Sequence, residues 1–216
     1  MTDGYKRRDA EPDGIPEINQ APGMAELESL FAAEDLDYRG GQPVDMQELH
    51  RAMANASERR NLELFSPVGT SRDLAIDKLR EVVSAILSGA TGYATDLLED
   101  IPPESPDGTA PTVAGCIGAA LGLLDSWFAG ASDWVPGDPV KDSTLPPGHW
   151  NGEKAATEVL ALAGKRRASR SATELVSRHG ASRVLFGSAL ALAAAAGAWA
   201  RRTKTPLDEL IPVIFP

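Results

Sequence analysis

Asp96, Glu99 and Asp100 stand at i, i+3 and i+4, a spacing that sets three carboxylates on one helix face. Helical di-metal sites use such carboxylates together with a Glu-x-x-His partner. This sequence has no such partner, and its three histidines, His50, His149 and His179, share no ligand spacing. No metal and no cofactor is therefore expected. Cys116 is the single cysteine, set in the apolar run Val113-Ala114-Gly115-Cys116-Ile117 with no neighbouring base. It reads as a small buried hydrophobe, not a nucleophile.

Gly115, Gly118 and Gly122 give a superficial likeness to a dinucleotide-binding loop. That loop requires a preceding strand and a helix N-terminus at the phosphate. Here Pro111 opens a helix earlier and no strand signal precedes it, so close helix packing through Gly115, Ala119 and Gly122 is the expectation. Neither a Gly-x-Ser-x-Gly elbow nor a phosphate loop is present.

Four other groups of residues have binding chemistry. Met46, Leu49 and Met53 repeat at a helical spacing and form a short apolar seam. Ile211, Ile214 and Phe215 close the sequence with apolar side chains that an isolated chain must cover or offer to a partner. Trp134, His149 and Trp150 border a proline-rich stretch, 130–150, that would form either a packed loop or the cover of a cleft. Lys165, Arg166, Arg167 and Arg170 form a basic patch suited to phosphates or an acidic partner, or to a solvated helix end.

Residues 172–191 carry a faint helix-turn-helix outline with Gly180 at the turn. The second helix is almost wholly apolar, whereas a recognition helix must show polar groups to base edges, so nucleic acid is disfavoured as a partner. The 17 uncharged residues 184–200 are a candidate membrane span. About 26 Å of helix falls short of a core of roughly 30 Å. Eight of the 17 are alanine, so a central helix of a soluble bundle is the preferred reading.

These groups need elements to hold them. Apolar periodicity predicts helices over 24–37, 46–65, 71–88, 93–99, 111–128, 151–164, 171–180 and 182–202. Asp45, Asn151, Ser171 and Ser182 are the expected N-caps, and Gly89 the expected stop. No strand signal or long repeat is visible. The expected fold is all-α, a globular bundle of five to seven helices with a flexible N-terminal arm. It divides into a disordered tail (1–22), a helical arm (23–66) and the helical domain (67–216).

The chain has 216 residues and a net charge of −10. Residues 1–150 carry 11 Lys/Arg against 26 Asp/Glu and residues 151–216 carry 10 against 5, or −15 and +5. Such asymmetry brings an acidic partner to the basic half, or brings the two halves together. Arginine-rich, alanine-rich usage suggests a GC-rich bacterial or phage source. With no secretory leader pattern and no cysteine pair, a cytoplasmic location is expected.

The leading functional reading is a non-enzymatic adaptor or assembly protein that binds another protein, with a homo-oligomer also considered. The alternatives are a small helical enzyme with a cleft near 130–150, and a membrane-associated protein through 184–200.

Overall fold

The computed structural model describes residues 46–134 and 142–215, with eight α-helices, one 3-10 turn and no strand among them. The helices are α1 (Met46–Leu64), α2 (Gly69–Leu87), α3 (Thr91–Glu99), α4 (Val113–Trp134), α5 (Glu153–Ala163), α6 (Ala172–His179), α7 (Ala181–Thr203) and α8 (Leu207–Ile214). The 3-10 turn, Ser169–Ser171, precedes α6. The all-α bundle expected from periodicity is the architecture found. The helix expected over 24–37 and the Asp45 cap lie outside the described residues, as do the tail 1–22 and the start of the arm.

Helix α7 is the axis of the bundle, and α2, α4, α5, α6 and α8 all pack on it. Its sequence explains the position. From Val184 to Ala198 every residue is buried, which suits a helix apolar on all sides and surrounded by neighbours. By length and composition α7 could cross a bilayer, yet 89% of its most apolar window is buried in the bundle. A close approach to α7 centres on Gly187. A Cβ there would stand 2.7 Å from Ala155 Cβ and 2.8 Å from Ala156 N on α5.

Helix α2 buries Ala75, Leu79, Val82, Val83 and Ile86, the face that its periodicity marks. It ends at Ser88. The N–H of Gly89 (φ 78°) donates to Ile86 O, and that of Ala90 to Ala85 O. These two bonds make a Schellman stop, which is open to glycine because its φ is positive. Helix α4 starts at Val113, where the Thr112 hydroxyl accepts the Gly115 N–H at 3.1 Å. It runs on to Trp134, so Trp134 belongs to a helix and not to the expected connection after Gly130.

Three expected caps are corrected. Asn151, Ser171 and Ser182 do not cap helices through their side chains. Gly152 (φ 95°) and Gly180 (φ 84°) set the entries to α5 and α7. A left-handed backbone leaves no place for the usual extended capping residue. Glu174, which stands three residues after Ser171 at the capping-box spacing, instead pairs with Arg178. The expected close packing through Gly115, Ala119 and Gly122 is corrected at Gly122. Gly122 has nothing within 4 Å of a built Cβ, whereas at Gly118 a Cβ would lie 1.9 Å from the Phe65 carbonyl oxygen. Gly118 is therefore where the chain leaving α1 is laid against α4.

Candidate functional site

Helix α1 is held to the body at its C-terminal end. Phe65 is buried there, Leu64 packs on the core, and the main packing partner of the helix is α4. Met46 and Leu49 are backbone positions of α1 whose side chains lie outside the described residues; Met53 is half-buried. Leu62, on another flank, is 49% exposed. Gln47, His50, Arg51 and Asn55 are exposed along its length.

The apolar tail is placed differently from the expectation that it serves a partner. Residues 207–214 form α8 with Pro212 inside it, and Ile211, Ile214 and Phe215 are 7%, 4% and 1% exposed. The Phe215 ring stands edge-on to Trp127 at 5.6 Å, and Trp127 edge-on to Trp199 at 6.1 Å. Arg80 Nη2 donates to the Phe215 carbonyl at 2.9 Å, while its Nη1 pairs with Asp77 at 2.9 Å. The chain's own core thus uses the tail, and these three side chains are covered by it.

Of the three residues expected around a cleft, the side chains of Trp150 and His149 are described. Trp150 is buried and belongs to the core, while His149 is exposed. The Trp150 N–H donates to Glu153 Oε1 at 3.1 Å, so the first acid of α5 reaches back over the helix start. The Trp150 indole N–H has no hydrogen-bond partner among the described residues. The Trp134 side chain and residues 135–141 lie outside the described residues. Beyond them, Arg201 and Arg202 on α7 hold Asp142, the first through its carbonyl at 2.9 Å and the second through its carboxylate.

An open groove lies between α2 and α3, lined by Asp77, Arg80, Glu81, Ser84 and Tyr93 among others. Several of its polar groups already have partners. Arg80 is engaged as described, and the Tyr93 hydroxyl donates to Glu81, which pushes the phenol's pKa up. Cys116 is buried, and desolvation raises its pKa to about 12, so it stays a thiol at neutral pH. No group of three potential metal ligands occurs among the described residues, and Asp96, Glu99 and Asp100 form none.

Two polar arrangements join elements distant in sequence. On α5, Glu158 meets His179 Nε2 at 2.7 Å and also pairs with Arg178, which reaches Glu174 as well. The hydrogen bond from His179, followed by Arg178, holds the Glu158 carboxyl below its ordinary value of 4.5. A depressed pKa contributes stability that is present above 4.5 and is lost as pH falls through the folded-state value. Glu158→Gln is therefore expected to lower stability by about 1 kcal/mol at pH 7, since the network is partly exposed. Urea melts at pH 7 and pH 3 check this, and the difference from wild type should shrink at the lower pH.

The second arrangement is Asp125, an isolated acid in an apolar stretch of α4. Its Oδ1 accepts the Ala168 N–H at 3.0 Å, and its Oδ2 accepts the Ser169 N–H at 3.0 Å and the Ser169 hydroxyl at 2.6 Å. Sequence reasoning missed it, although an acid on a helix this apolar signals a fixed partner. The pattern also missed the Glu158–His179 pair, whose members are 21 residues apart. Lys165, Arg166, Arg167 and Arg170 sit beside the Asp125 junction, all exposed.

Comparisons with protein-family models, with curated proteins and with solved structures returned no match.

Proposed function

We propose that the chain is a non-enzymatic adaptor or assembly protein and that α1 is the element it offers to a partner protein. The observation that carries this reading is the attachment of α1. A helix of 19 residues is anchored to α4 where Phe65 meets Gly118, and Met46, Leu49 and Met53 recur at helical spacing toward its far end. An i, i+3, i+7 seam on a tethered helix suits an amphipathic partner helix, which would lay its own apolar face along it.

A photo-cross-linking residue at position 49 of the full chain, activated in the native host, tests this. The expected result is one stoichiometric protein adduct, lost when Met53→Glu is added and regained with Met53→Leu, with the helical circular dichroism unchanged throughout. Cross-links confined to the chain's own α4, or an adduct indifferent to Met53→Glu, would overturn the reading.

A further inference from the structure

The loop joining α5 to the 3-10 turn carries positive charge that meets no carboxylate among the described residues. Arg166 Nη2 donates to the Ala129 carbonyl at 3.3 Å, but no hydrogen bond or ion pair joins the side chains of Lys165, Arg167 or Arg170 to another residue among those described. The loop itself is firmly shaped. Arg166 adopts a left-handed backbone (φ 56°), and the N–H groups of Lys165 and Arg167 both donate to Leu162 O, at 2.9 and 3.0 Å. Ala168 is fully buried, and Asp125 clamps it and Ser169. The Asp125 carboxylate thus holds backbone amides and a hydroxyl and makes no ion pair with the four cations. A preformed loop loses little conformational freedom on binding, and its arginine forks match carboxylates in two-point contacts.

The complementary charge lies in the same sequence. Residues 9–37, which lie outside those described, contain nine Asp/Glu and no Lys/Arg. Reach is sufficient. From Met46 along α1, then along α4 from Gly118 to Ala129, and out to the loop is at most about 55 Å at 1.5 Å per helical residue plus one side chain. Extended chain gains about 3.3 Å per residue and helix about 1.5 Å, so the upper limit from Asp45 to Glu17 is about 90 Å if fully extended and about 65 Å with 24–37 helical, both beyond that path. Tethering supplies an effective concentration on the order of millimolar. The chain's net charge of −10 works against a long nucleic acid settling on the same loop.

We propose that the acidic stretch 9–37 docks on the basic loop 165–170 of its own chain, so that this loop is a surface covered in cis. The proposal stands independently of the role assigned to α1.

Carbodiimide coupling tests it, because that reagent joins a carboxylate to a lysine only where the two are in contact. Dilute full-length protein is coupled at low salt, digested and read by mass spectrometry. The expected product is an amide between Lys165 and an acid within 9–37. It should form at least about fivefold more often than links from the exposed Lys154 or Lys204, and disappear at about 0.5 M salt through screening. The Arg166→Glu, Arg167→Glu, Arg170→Glu variant should lose it while keeping the circular dichroism of the wild type.

Three results would overturn the proposal. Lys165 could link no more often than Lys154 whatever the salt. In a mixture of isotopically labelled and unlabelled chains, the links could join different copies. Finally, Lys165 could gain no link while the triple variant loses retention of a short single-stranded DNA, which would assign the loop to phosphates.

Discussion

Phe215→Ala is expected to cost about 3–5 kcal/mol, the range for truncating a buried aromatic. For a chain of this size that corresponds to a fall in Tm of roughly 6–20 °C. Phe215 is 1% exposed and closes an aromatic contact with Trp127, the middle ring of a set completed by Trp199. The cost has an upper bound set by the fold. Helix α8 lies at the end of the described chain, so if its docking is worth less than the cavity it detaches and the bundle remains. The two outcomes differ optically. A cavity lowers Tm with little change in native tryptophan emission, whereas detachment uncovers Trp127 and moves native emission to the red. A Tm within about 1 °C of wild type and unaltered emission would show that the tail is not seated on α4 and α7, given the usual scale of such losses.

That placement reverses the weight given to the tail when only the sequence is read. Pro206 and Pro212 look like terminators, since proline cannot continue a helical hydrogen-bond ladder. Here Pro206 is the residue before the helix, and Pro212 lies in its last turn, where few bonds remain to be lost. The apolar run at 211–215 then has a helical face to bury, and only tertiary packing shows that the core accepts it. By contrast, α2, α4, α5 and α7 were legible because their apolar faces repeat at the helical period and bury as marked, with Leu79, Ile117, Val159 and Ala193 all at 0%. Helix starts were poorly legible. Ser and Asn are common before helices, but Gly152 and Gly180 set these entries through positive φ, and that choice depends on how α5 and α7 meet. The basic patch was legible because its four cations are close in sequence. Its support on Asp125 was not, because the two partners come from separate elements.

Gly187→Ala separates local preference from packing most sharply. In a helix interior alanine is favoured over glycine by about 1 kcal/mol, and on that ground alone the change should stabilise. The added methyl would, however, meet Ala155 Cβ at 2.7 Å, Ala156 N at 2.8 Å and the Gly152 carbonyl at 2.9 Å. The last two are backbone atoms, so no rotamer change relieves the contact and α5 must move off α7. Overpacking of this kind costs about 1–3 kcal/mol, at times more, and a contact with two helices' worth of backbone behind it belongs at the upper end. The expected net effect is a loss of about 2 kcal/mol or more and a Tm lower by roughly 4–8 °C. Gly122→Ala is the matched control. It lies in α4 with nothing within 4 Å of the new methyl, so only the propensity gain operates, and Tm should rise by roughly 2–4 °C. Opposite signs for the two substitutions in one series of thermal melts would place the closest helix crossing at Gly187. Equal stabilisation by both would mean that α5 and α7 do not approach as closely as this packing requires.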